Sequence, residues 1–281
     1  MRGVSKGVGM PGSVRARIFA VALLVASAAE ASADARLVSI QTPRGVKQAF
    51  ILIKPDGAKP AATVMLFAGG HGALGLRSAA DMRWGRGNFL VRSRDLFARQ
   101  GLVVAVMDAP SDRQSGMNGI FRMGSAHAAD IAAVAAHLKQ EIGAPVWLVG
   151  TSMGTFSAAG GAIGAKGVDG LVLTSSITGA KPHWKIAGSH PDGVASMPLS
   201  RVRVPTLIVS HRRDGCDITP ARDAPKLKGR LTQAPKVEVV ILDGGDPPRS
   251  EPCEARSQHG FLGIEGQAVA VVASFVKANS K

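Results

Sequence analysis

No tyrosine occurs in the 281 residues, aromatic side chains make up only 4%, charged ones 19%, and cysteine appears twice. Each scarcity removes a class of protein. Single-stranded nucleic acids are gripped by basic grooves interleaved with aromatic stacking platforms, and this chain lacks the aromatics despite its formal net charge of +14. Two cysteines cannot build a disulfide scaffold. With 46% hydrophobic residues the chain is not disordered, and its length is enough to bury a core without structural metals. Residues 34–281 hold 30 basic against 19 acidic side chains, or +11; the resulting field favours anionic partners and says nothing about fold. The densest basic stretch, residues 77–99, has six arginines but also Asp81 and Asp95, and is read as a solvated face.

The amino terminus carries Arg15 and Arg17, then an apolar run at residues 18–26, then the small residues Ala31, Ser32 and Ala33. Charge, short apolar run and A-x-A site in that order are what signal peptidase reads. The run is far shorter than the roughly 20 residues that cross a bilayer. Residues 1–33 are therefore expected to be a signal peptide cleaved after Ala33, leaving a periplasmic or secreted protein with no stable membrane span. An oxidising compartment also makes a disulfide between Cys216 and Cys253 plausible.

From residue 37 to 53 two β-rich runs flank Pro43, Arg44 and Gly45, the signature of an antiparallel hairpin. Short β-branched runs follow: TVMLFA (63–68), LVVAVM (102–107), VWLVG (146–150), GLVLTS (170–175), TLIVS (206–210) and VEVVIL (237–242). Helices are predicted between them at 88–100, at 125–141 with Ser125 as N-cap, and at 153–165, 220–227 and 267–278. Strands alternating with helices imply a mainly parallel sheet covered on both faces. Residues 177–200 form an insertion between strands, either a surface loop or a small cap.

The chemistry is signalled at VWLVGTSMGT, where Gly150, Ser152 and Gly154 form G-x-S-x-G directly after a predicted strand and before a predicted helix. A nucleophile elbow requires that context, and the sharp turn requires neighbours without bulky side chains. A serine hydroxyl needs a base to take its proton, and the base needs an orienting acid. Asp214 lies just past the strand TLIVS, and His259 lies after the last predicted strand. Asp217, Asp243 and Asp246 remain alternatives for the acid, and His183, His190 and His211 for the base.

Over most of residues 37–278 the chain resembles the α/β-hydrolase superfamily. The resemblance rests on G-x-S-x-G at 150–154, on PTLIVSHRRDGCDITP around Asp214 and on the place of His259 after the last strand. FAGGHG, DAPSD and HGF are further similar to segments of exported bacterial members. The family implies a mostly parallel eight-stranded sheet, with nucleophile, acid and histidine after strands five, seven and eight. Ser152, Asp214 and His259 fall there. It also implies an oxyanion hole from the amide of Met153 and one from Gly70 or His71. The implied activity is cleavage of small carboxylic esters through an acyl-enzyme without cofactor or metal, with amide hydrolysis or a non-catalytic binding role as alternatives. Cys216 and Cys253 would tie the acid loop to the histidine loop. Asp108 and Asp112 are read as loop anchors, and Arg92 and Arg94 as either substrate-selecting or surface side chains.

Overall fold

The computed structural model describes residues 1–4, 7, 34–57 and 59–280. Most of the expected signal peptide, including its apolar run and the cleavage site after Ala33, lies outside the described residues. Strands β1 (Asp34–Gln41) and β2 (Lys47–Lys54) form the expected hairpin, with Gly45 in the turn at φ 76°. The remaining strands are β3 (Thr63–Phe67), β4 (Val103–Met107), β5 (Val146–Ser152), β6 (Gly170–Ser176), β7 (Thr206–His211) and β8 (Val237–Leu242). All eight join one sheet in the order β1-β2-β4-β3-β5-β6-β7-β8. β2 runs antiparallel to both β1 and β4, and every other pairing is parallel.

The central strands β3 and β4 are buried along their whole length, which is why their sequences are continuous apolar runs rather than alternating ones. Alternate side chains feed two hydrophobic layers. On one face Met65, Phe67, Leu148, Leu171 and Ile208 pack with residues of α4 (Ser125–Ile142), α5 (Gly154–Gly164) and α6 (Ala224–Arg230). On the other face Val64, Leu66, Trp147, Val149 and Leu207 pack with α1 (Phe89–Arg92), α2 (Arg94–Arg99) and α7 (Glu265–Ala278). Residues 258–278 are long and apolar enough by composition to cross a membrane, but Ala268, Val269, Val272, Ala273 and Val276 of α7 are buried against the sheet.

Three local expectations need correction. The single helix predicted over 88–100 is broken into α1 and α2 at Ser93, whose φ of −96° and ψ of 3° leave helical geometry. Ser125 is not the cap of α4; Gly124 holds that position and no side chain caps it. A short helix, α3 (Gly119–Met123), was not predicted because five residues carry too little periodicity; Asn118 caps it by accepting from the Phe121 amide at 2.9 Å. Residues 177–200 contribute Ile177, Ile186, Val194, Ala195, Met197 and Leu199 to the buried layer, so the insertion is packed down rather than held away as a surface loop.

Asp108 follows β4 and is buried. Its carboxylate accepts from the amides of Leu74, Gly75, Leu76 and Ala109 at 2.7, 3.2, 2.9 and 2.7 Å, which anchors the loop that follows β3. Removing the carboxylate orphans several buried donors, at about 1–3 kcal/mol each. Asp108→Ala is therefore expected to lower the unfolding free energy by about 3 kcal/mol or more in urea titrations; a loss under about 1 kcal/mol would contradict the anchoring role.

Candidate active site

Sequence at the end of β5 forces an abrupt turn. Ser152 has φ 53°, one of only three positive-φ non-glycine residues among those described, a conformation that is costly for a residue with a Cβ. The flanking glycines make it possible. A Cβ on Gly154 would overlap the Phe67 carbonyl, and one on Gly150 would overlap the Gly154 carbonyl. The Thr155 hydroxyl donates to the Ser152 carbonyl at 2.6 Å. Ser152 thus stands between strand and helix at the carboxyl edge of the sheet, half-buried, where open α/β sheets hold ligands.

Asp214 lies after β7 and His259 in a 3-10 turn, Gln258–Gly260, after β8. The His259 Nδ1–H donates to Asp214 Oδ2 at 3.0 Å, and both side chains are almost wholly withdrawn from solvent. The Thr219 hydroxyl donates to the same Oδ2 at 2.9 Å and lies 3.1 Å from Nδ1. Its oxygen can therefore share the Nδ1 proton. The Cys216 amide donates to Asp214 Oδ1 at 3.0 Å. This set places the ring proton on Nδ1 and leaves Nε2 as the basic nitrogen.

Four further contacts seat the histidine. The Ser175 hydroxyl donates to the His259 carbonyl at 2.8 Å, and the His259 amide donates to Ser257 Oγ at 3.2 Å. Arg92 donates to the carbonyls of Gly260 at 2.6 Å and Ala255 at 3.1 Å while pairing with Glu265 at 2.9 Å. Arg92 is thereby committed to the histidine loop rather than available to a substrate. Arg94 donates to the Val91 carbonyl at 2.8 Å.

A cleft of about 450 Å³ is lined by Gly69, Gly70, Trp84, Ser152, Arg256 and His259, among others. Ser152 and His259 thus face one space, although no hydrogen bond joins them among the described residues; such contacts often tighten only around a bound reactant. Gly70 and Gly72 adopt φ 57° and 70° in the loop after β3. The His71 ring stacks on Trp84, which lines the cleft, with centroids 3.9 Å apart, and its Nδ1 accepts from the Ala73 amide at 3.1 Å. Burial, with the Arg122 charge nearby, pushes the His71 pKa down. A second cavity of about 270 Å³ adjoins Met153 and is lined by Ile120, His183, Trp184 and Ile186, so the 177–200 insertion borders the residue after the serine.

Three of the alternatives, His211, Asp243 and Asp246, are engaged elsewhere. His211 is buried with both nitrogens satisfied, accepting from the Arg213 amide at 3.0 Å and donating to the Gly244 carbonyl at 3.1 Å. Asp243 is held below the usual carboxylate range by the Gly244 N–H and by Arg213 and Arg212, and Asp246 pairs with Arg249 at 3.3 Å. Cys216 and Cys253 are joined in a disulfide with Cα atoms 4.5 Å apart. The one cluster with metal-ligand spacing among the described residues, Cys216, Asp217 and Cys253, therefore offers no thiolate.

No family profile matches the sequence, and no curated protein matches it. Solved structures do match. An esterase of Pyrococcus furiosus is similar at 17% identity and TM-score 0.59, covering 88% of this chain and 93% of that one. A cold-adapted esterase from an Arctic intertidal metagenomic library gives 16% and 0.58, covering 89% and 95%. Dipeptidyl peptidase 4 of Porphyromonas gingivalis gives 16% and 0.60, covering 88% of this chain but 36% of that one. The chain has the α/β-hydrolase fold.

In α/β-hydrolase terms Ser152 ends strand five, Asp214 follows strand seven and His259 follows strand eight, the positions the sequence pattern assigns. Thr219 and Ser175 carry no motif, and Arg92, read as substrate-selecting or surface, instead holds the histidine loop, because a hydroxyl or guanidinium acting on a neighbour leaves no signature in the sequence. The disulfide closes a 37-residue separation between the acid and histidine loops. The Cys216→Ser/Cys253→Ser protein is expected to lose about 2–4 kcal/mol of stability, measured by urea unfolding; an unchanged midpoint and slope would contradict a stabilising crosslink.

Proposed function

We propose that this chain is an exported serine hydrolase that cleaves small carboxylic esters. The observation that carries the reading is a serine in the left-handed conformation of a strand-to-helix turn, sharing one cleft with a histidine whose Nδ1–H is held by a buried carboxylate. Ser152 Oγ attacks the ester carbonyl while His259 Nε2 takes its proton. Asp214 keeps the imidazole tautomer and offsets the positive charge that forms. The amide of Met153, at the start of α5, and an amide of the 69–72 loop receive the oxyanion. Collapse expels the alcohol, which takes the proton from His259, and leaves an acyl-Ser152. Water activated by the same histidine then releases the acid and regenerates the serine.

The esterases among the structural neighbours support ester cleavage. The likeness to the peptidase favours amide hydrolysis as the second reading, since the same groups serve both. Esters are preferred because an amide leaving group needs stronger protonation and a grip on the peptide, and this chain corresponds to little more than a third of that peptidase. The disulfide supports export to an oxidising compartment. The chemistry proposed requires no cofactor or metal.

Mature protein is expected to hydrolyse short p-nitrophenyl esters faster than the matching p-nitroanilides. Ser152→Ala is expected to reduce turnover at least about 10⁴-fold with unchanged circular dichroism, and Asp214→Asn by a comparable factor. Undiminished turnover in folded Ser152→Ala would overturn the reading. A higher rate on the anilide would favour the peptidase alternative, and complete inertness of the wild-type protein toward both would favour a binding role.

A further inference from the structure

A fully buried arginine lies beneath the loop that follows β3, and the mechanism above does not use it. Arg122, on α3, is 1% exposed. Among the described residues its guanidinium donates to three groups, all neutral: the Met117 carbonyl at 3.2 Å, the Ser157 hydroxyl on α5 at 2.9 Å and the Gly70 carbonyl at 3.1 Å. Burial lowers its pKa to about 10, so it remains charged at neutral pH. Its charge also contributes to the lowered pKa of His127 and His71, in each case after burial. An unpaired buried cation is unfavourable unless something else requires it.

The peptide geometry gives it a task. No peptide bond among the described residues is cis, and in a trans peptide the C=O and the following N–H point in opposite directions. Arg122 holds the Gly70 carbonyl on the buried side, so the His71 N–H of that peptide points away from it. Neither the Gly70 nor the His71 amide has an acceptor among the described residues. A Cβ on Gly72 would overlap the Arg122 guanidinium, so the loop backbone closes directly onto the charge. We infer that Arg122 is a positioning residue that, by holding the Gly70 carbonyl, locks the Gly70–His71 peptide and with it the 69–72 loop whose amide receives the oxyanion, with the buried positive charge behind it.

The inference rests on the serine hydrolase reading, and wild-type and Ser152→Ala controls separate the two. If wild type does not turn over short esters, that reading fails. If it does, Arg122→Met tests the inference. The expected result is a fall in kcat on the order of 10² to 10³, as for loss of an oxyanion donor, with KM within about threefold. Affinity for a butylboronic acid, which forms a tetrahedral oxyanion adduct on the serine, is expected to weaken in proportion. Arg122→Lys keeps the charge but lacks the planar fork that spans all three partners, and is expected to retain more kcat than the methionine variant while losing at least about tenfold. Folding is verified by circular dichroism and melting temperature. If Arg122→Met does not fold, Arg122→Lys decides. A folded variant whose kcat and boronate affinity stay within threefold of wild type, or one that changes KM alone, overturns the inference.

Discussion

The contact on which the site depends is between backbones: the Gly154 turn seated against the Phe67 carbonyl at the end of β3. Because no side chain fits there, the chain leaving β5 turns at once into α5, and Ser152 is pressed into φ 53° at the turn. That conformation is unfavourable for serine, and the parallel pairing of β5 between β3 and β6 sustains it. A hydroxyl at the carboxyl edge of the sheet, beside a cleft, follows from this packing.

The partner groups arrive by a different route. Asp214 and His259 sit on long loops after β7 and β8, and loops of that length wander unless tied. Here the ties are of three kinds. The disulfide joins the loops covalently, Arg92 clasps two carbonyls of the histidine loop, and the Thr219 hydroxyl sits against both the carboxylate and the imidazole. Arg122 and Asp108 do the same for the loop after β3, one from beneath and one along its length. Each functional loop is held by a buried polar group aimed at backbone, so the rigidity of the site comes from specific hydrogen bonds as much as from apolar packing.

Sequence alone carried the architecture far. The strands were visible because the central ones are continuous apolar runs, and even the edge run VEVVIL matches its strand residue for residue; G-x-S-x-G was informative because of its place between strand and helix. Asp214 and His259 were singled out by position after strands, and the structure pairs their side chains at 3.0 Å. Local sequence could not say that the 88–100 segment breaks at Ser93, nor that α3 exists, since both depend on tertiary packing of short segments. The roles of Thr219, Ser175, Arg92 and Arg122 were also hidden. Each acts on a group remote in the chain, from 40 residues away for Thr219 and His259 to 168 for Arg92 and Gly260, and Arg92 in particular read as a surface or substrate-facing side chain.

The central claim is that Ser152 is an activated nucleophile. Its most direct test is to treat the mature protein with a fluorophosphonate and map the modified residue by mass spectrometry. The account requires a single phosphonyl adduct on Ser152, lost in a folded His259→Ala protein. Absence of any adduct on wild type, or an adduct on a different residue, would contradict it.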